Sequence, residues 1–75
     1  MAGWQIRDYD VLFQDHPPTE AAAPNRGECD RLALALGRSR GAVFAQWEDA
    51  RSVVLGNKSA ASQPLREYLH RRGWT

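Results

Sequence analysis

The 75-residue sequence predicts a small all-α domain of four main helices. Apolar residues recur at helical spacing in four segments, glycine or proline separates these segments, and no segment has the pattern of a strand. A chain of this length is expected to form one domain, here residues 1–75. Trp4 and Trp74 stand near the two ends, and such large rings predict that both ends dock on the core.

The first helix is predicted from Ile6 to about Gln14. Residues 16–18 (His-Pro-Pro) end it, because proline disfavours the helical conformation in the residue before it. Thr19 can cap a further single turn through Ala23. The apolar face of the first helix consists of Ile6, Tyr9, Leu12 and Phe13.

The second helix is predicted to follow Asn25 and to end at Gly37. Asn25 and Glu28 have the spacing of a capping box, in which each side chain accepts from the other residue's backbone N–H. Gly37 suits the left-handed conformation that closes many helices. The apolar face consists of Cys29, Leu32, Ala33 and Leu36.

The third helix is predicted over about residues 40–55, with Ser39 as its N-cap and Gly56 at its end. The residues expected to face the core are Val43, Trp47, Ala50 and Val54. The opposite ridge is smooth and has no cation; it consists of Gly41, Ala45, Glu48 and Ser52.

The fourth helix is predicted after the polar residues 57–59, and it extends to about Arg72. Pro64 falls in its first turn, where proline is tolerated. Gly73 suits a left-handed cap, beyond which Trp74 can fold back on the helix. The apolar face consists of Leu65, Tyr68 and Leu69.

The formal net charge of +1 is unevenly distributed. Residues 1–20 carry a net charge of −3, whereas residues 21–75 carry +4. This asymmetry favours an anionic partner for the basic part, although a chance distribution on a solvated surface explains it equally well.

The turn Gly37-Arg38-Ser39 gives the second and third helices the arrangement of a helix-turn-helix. The segment LGRSRGAVFAQWEDAR (36–51) resembles the helix-turn-helix in the DNA-binding fourth region of bacterial sigma factors and related regulators, where Leu-Gly, a Ser cap, Gly, Val and a terminal Ala-Arg recur. It is similar, more loosely, to the N-terminal helical module of some bacterial restriction-type endonucleases. The resemblance covers about residues 29–51. It implies a regulatory or DNA-targeting protein that places its third helix in the major groove of double-stranded DNA.

The resemblance also implies candidate DNA contacts, which lie on the turn and the first two turns of the third helix: Arg38, Ser39, Arg40, Phe44, Ala45 and Gln46. Further basic side chains that can contact phosphate are Arg51, Lys58, Arg66, His70, Arg71 and Arg72. The last three also suit a solvated C-terminal turn that the helix dipole favours.

Two features of the third helix depart from the family pattern. The positions of Phe44 and Ala45 are usually polar or basic in the family, and Glu48 and Asp49 add negative charge. A carboxylate repels phosphate, although Glu48 can accept a hydrogen bond from cytosine N4.

The alternative function is a protein–protein interaction module that uses the same scaffold without binding DNA. Its partner is another protein or a second copy of the chain, and an exposed Phe44 is a suitable anchor. Phe44 can equally pack beneath the first helix, and the sequence leaves both placements open.

The sequence predicts no enzyme, no cofactor and no metal site. His16, His70 and Cys29 lack the spacing of metal ligands, and Cys29 falls on an apolar face as a small buried residue does. Asp8 and Asp10 point to different sides of a helix. The single cysteine and the lack of a signal peptide or long apolar run predict a cytoplasmic protein, associated with the nucleoid if it binds DNA, without a membrane partner.

Overall fold

A computed structural model describes residues 3–19, 23–57 and 61–75, and these ranges contain four α-helices and no strand. The helices are α1 (Ile6–Phe13), α2 (Arg26–Leu36), α3 (Arg40–Val54) and α4 (Gln63–Arg71). The predicted all-α fold with four main helices is therefore confirmed. Within the described part of the chain, no helix is long and apolar enough to cross a lipid bilayer. The turn predicted between Thr19 and Ala23 falls largely on residues 20–22, which lie outside the described ranges.

Side-chain hydrogen bonds define the starts of α2 and α3. Asn25 Oδ1 accepts from the Glu28 N–H and Glu28 Oε1 accepts from the Asn25 N–H, each at 2.9 Å, so the predicted capping box is present. The hydrogen bond from the Asn25 backbone holds the pKa of Glu28 below its usual range, and the adjacent His16 acts in the same direction. Ser39 Oγ caps α3 by accepting from the Ala42 N–H at 3.1 Å.

Glycines in the left-handed conformation close α2 and α4, as predicted. Gly37 has a φ of 66° and Gly73 a φ of 73°, values that cost glycine little because it has no Cβ. The residue after each glycine donates back to the last turn: the N–H of Arg38 to Ala33 O and the N–H of Trp74 to Leu69 O, both at 3.0 Å. The second of these bonds folds the chain back over α4.

The core lies where the four helices meet. Its buried residues are Tyr9, Leu12, Phe13, Cys29, Leu32, Val43, Trp47, Ala50, Val53, Leu65, Tyr68 and Leu69. Trp47 is 2% exposed, and its indole Nε1 donates to the backbone O of His16 at 2.7 Å. The polar atom of this buried ring is therefore satisfied.

The predicted inward position of Val54 is wrong, because Val53 is buried and Val54 is half-buried. α3 packs against all three other helices, so its buried surface is wider than one line of residues. At the last turn this wider surface includes Val53.

Aromatic rings of the two ends of the chain form a cluster between α1 and α4. The ring centroids of Tyr9 and Tyr68 are 5.4 Å apart, and those of Phe13 and Trp74 are 5.7 Å apart. Trp4 stacks on Tyr9 at 5.6 Å. Both terminal tryptophans are half-buried against the core, which confirms their predicted docking. We call these five residues the ring cluster.

Candidate nucleic-acid interface

Residues 40–48 of α3 expose one side of the helix to solvent, which we call the outward side. It consists of Arg40, Gly41, Phe44, Ala45 and Glu48. Phe44 keeps 40% of its surface exposed. Of its two predicted placements, exposed or packed beneath the first helix, the structure therefore shows the exposed one. Val43 and Trp47 of the same helix are buried, so the outward side and the core side are clearly separated.

An open groove of about 450 Å³ lies beside the Phe44 ring, where α2 packs against α3; we call it the Phe44 groove. The residues that line it are Pro24, Arg26, Cys29, Arg40, Gly41 and Phe44. Pro24 and Cys29 are buried and supply apolar surface, whereas Arg26 and Arg40 are exposed. Pro24 and Arg26 are not among the predicted contact residues, because only helix packing brings them beside Arg40.

Arg40 forms an exposed ion pair within this region. Its Nη1 lies 3.2 Å from Asp30 Oδ1, and the two side chains are 45% and 54% exposed. Exposed pairs of this kind contribute roughly 0–1 kcal/mol, so a phosphate can replace Asp30 at small cost.

Arg38 is held inside the domain by residues near the N-terminal end. Its Nη2 donates to Gly3 O at 3.0 Å and lies 3.5 Å from Asp8 Oδ2, and its guanidinium lies 4.5 Å from the centroid of the Trp4 ring. The side chain is only 20% exposed. Arg38 therefore connects the turn between α2 and α3 to the segment before α1.

Three other predicted contact residues interact with the rest of the protein or are partly covered by it, whereas a fourth is exposed. The Ser39 hydroxyl caps α3, and Gln46 is half-buried. The Arg51 guanidinium lies 5.9 Å from the centroid of the Trp47 ring. Ala45 is exposed on the outward side.

Basic side chains of α4 line an open depression of about 700 Å³ together with Gln63 and Glu67: Arg66, His70 and Arg71. All of them are exposed. Among the residues that the structure describes, no acidic side chain lies within ion-pair distance of Arg66 or Arg71. The depression and the Phe44 groove have no lining residue in common.

Arg72 differs from its neighbour Arg71 because it packs on the ring cluster. Its guanidinium lies 4.9 Å from the Trp74 ring centroid and 5.9 Å from that of Tyr68. Its Nη1 is 3.9 Å from Asp10 Oδ1. The predicted candidate Lys58 lies outside the described residues.

The described ranges contain no group of three His, Cys, Asp or Glu side chains that could hold a metal ion. Cys29 is 2% exposed, as its place on an apolar face predicted, and its Sγ donates to Pro24 O at 3.7 Å. Burial raises the pKa of this thiol, and the nearby charges of Asp30 and Glu28 raise it further.

No protein-family model matches the chain, and no curated protein or solved structure shows significant similarity to it.

Proposed function

We propose that this domain binds double-stranded DNA, as a regulatory or DNA-targeting module in which α2 and α3 act as a helix-turn-helix. The observation that carries the proposal is the exposed outward side of α3, which starts at the N-terminus of that helix. Free N–H groups and the helix dipole make such an N-terminus attractive to phosphate. In helix-turn-helix proteins the N-terminal residues of the recognition helix contact base edges.

The charges along α3 favour an approach with its N-terminal end first. Arg40 opens the helix, whereas Glu48 follows eight residues later, about 12 Å further along the axis. An end-first approach places Arg40 near a phosphate or a guanine and leaves the carboxylates of Glu48 and Asp49 partly withdrawn.

The surroundings of each arginine suggest which of them supply phosphate contacts. Arg38 is 20% exposed and lies on the Trp4 ring near Asp8, so it supports the fold. Arg72 is 52% exposed but packs on the Trp74 ring, so it is a weaker candidate for a phosphate contact than Arg71. Arg66 and Arg71 are exposed on α4. Together with Arg40, they are the arginines that we expect to bind the DNA backbone.

Substituting these arginines should reduce the salt dependence of DNA binding. We expect Arg71→Ala and Arg40→Ala each to weaken binding and to reduce the slope of log K against log salt by about one, because each removes one phosphate contact. The measurement is fluorescence anisotropy of a labelled mixed-sequence duplex at several salt concentrations.

Two variants serve as controls for this experiment. Arg31→Ala makes the same charge change at an exposed arginine that lines neither the Phe44 groove nor the depression on α4, so the slope should change little. Glu48→Gln removes a carboxylate from the outward side and should strengthen non-specific binding. Failure of the wild-type domain to bind any duplex at low salt would exclude the proposed function.

Removing the carboxylate of Asp30, which competes with phosphate for Arg40, should strengthen DNA binding. Asp30→Asn takes away the carboxylate 3.2 Å from Arg40 Nη1, and we expect an increase in affinity of about two- to fivefold, the equivalent of one exposed ion pair. Asp15→Asn is the matched control, because it makes the same charge change in an exposed pair with Arg31. Equal effects of the two variants in the same anisotropy assay would show that only net charge matters.

The second candidate is a protein–protein interaction module on the same surface. It is favoured by the exposure of Phe44 beside a groove with an apolar floor, and by Leu34 of α2, which is 87% exposed. Exposed apolar surface of this kind is typical of docking sites. The duplex titration separates the two candidates, since only DNA binding requires a steep dependence on salt.

A further inference from the structure

We propose that the Phe44 groove recognises the C5-methyl group of pyrimidines in the major groove, that is, the methyl of thymine or of 5-methylcytosine. This inference rests on the proposed DNA binding. It specifies the feature of the base pairs that α3 distinguishes. The thymine methyl is the apolar feature on the major-groove edge of unmodified DNA, and phenylalanine is one of the side chains that contact it.

Phe44 differs from the other aromatic residues in its exposure. Among the Phe, Tyr and Trp side chains of the described ranges, that of Phe44 is the most exposed, at 40% of its surface. The other rings are buried or half-buried in and around the core. The Phe44 ring is thus available for a contact outside the domain.

The surroundings of Phe44 permit a base edge to approach closely. Gly41 and Ala45, its neighbours on the outward side, are small, and a Cβ added at Gly41 would meet nothing within 4 Å. Pro24 and Cys29 supply the apolar floor of the groove. A methyl group that enters here leaves water without displacing a polar partner, which is favourable.

The charged side chains of the groove fit a nucleic acid. Arg26 and Arg40 line it from the first residues of α2 and α3. A guanidinium binds phosphate oxygens, or the O6 and N7 of guanine, through paired hydrogen bonds. A single base step of DNA therefore has a methyl group that can contact the apolar floor and phosphates that can bind the two arginines. An acidic protein segment offers the anionic groups without the methyl-bearing base.

Three pools of random-sequence duplex, made by amplification with different nucleotides, test this inference directly. The first contains thymine and cytosine, the second uracil and cytosine, and the third uracil and 5-methylcytosine. Uracil pairs as thymine does but lacks the methyl, so the second pool has no C5-methyl and the third has it on cytosine only. We expect the first and third pools to bind more tightly than the second, by about three- to fivefold for each methyl contact.

Variants of α3 assign the preference to Phe44. Phe44→Ala should bind all three pools with equal affinity while keeping the salt dependence, and Phe44→Leu should keep part of the preference. Leu55→Ala is the matched control: this residue is 72% exposed at the end of α3 and does not line the groove, so the preference should persist. Circular dichroism of each variant checks that the helices are retained.

The possible outcomes separate this inference from the proposed function. Equal, salt-dependent binding of all pools by the wild-type domain would overturn methyl recognition and leave DNA binding intact. A preference that survives in Phe44→Ala would also overturn it. Absence of binding to every pool would overturn both proposals and leave an acidic protein segment as the partner that fits the groove.

Discussion

Trp47→Ala is expected to lower the free energy of unfolding by about 3–5 kcal/mol, the range for removing a large ring from a core. Trp47 is 2% exposed, and its Nε1 donates to the His16 carbonyl at 2.7 Å. The substitution creates a cavity and removes the donor for that carbonyl. A domain of this size has a total stability of roughly 4–11 kcal/mol, so much of the population should unfold. Urea denaturation followed by circular dichroism measures the loss.

Phe44→Ala is the matched control for this prediction, since it truncates an exposed aromatic residue of the same helix. Phe44 is 40% exposed and loses fewer buried contacts, so its urea midpoint should fall by clearly less than that of Trp47→Ala. An unchanged midpoint for Trp47→Ala itself would contradict the structure of the core.

Alkaline unfolding is the second large effect that we expect. Burial raises the pKa of Tyr68 from 10.0 to about 12, and the hydrogen bond to Asp10 adds to the shift. The folded domain thus favours the neutral phenol, and this contribution to stability is complete below pH 10 and lost as the pH rises towards 12. Tyr9, whose pKa burial also raises, acts in the same direction. The absorbance of tyrosinate and the loss of helical signal should therefore change together.

Tyr68→Phe provides the control for the alkaline transition. The variant keeps a ring in the ring cluster but loses the 2.6 Å hydrogen bond from the hydroxyl to Asp10 Oδ1. Asp10 is 55% exposed and is solvated by water in the variant, so the loss at neutral pH should be about 1 kcal/mol. The alkaline midpoint should move to higher pH. Ionisation of the wild-type tyrosines near their ordinary pKa, with the helical signal unchanged, would contradict the prediction.

The helix boundaries were predictable because they depend on neighbours in the sequence. The Asn25–Glu28 capping box, the Ser39 cap and the left-handed Gly37 and Gly73 all act through contacts within a few residues. The assignment of Val54 to the core is wrong for the opposite reason, because burial depends on residues far away in the sequence. Helical periodicity gives one favoured direction, but the buried width of α3 depends on how three other helices surround it.

The availability of the candidate contact residues was less predictable, because it depends on residues far away in the chain. Arg38 contacts Gly3 and Asp8, which are 35 and 30 residues distant. A sequence pattern shows that a guanidinium is present, but not that its hydrogen bonds are already used. The Phe44 groove was missed for the same reason, since Arg26 and Arg40 meet only after α2 and α3 have packed.

The ring cluster has a consequence for the order of folding. α2 and α3 are joined by three residues, so their association closes a very short loop, whereas the ring cluster joins Tyr9 and Phe13 of α1 to Tyr68 and Trp74 near the other end of the chain. The entropic cost of closing a loop grows with its length, and contacts between sequence neighbours form sooner. The two helices that we propose for DNA binding therefore belong to the part of the chain that can associate first. The meeting of α1 with α4 then completes the domain.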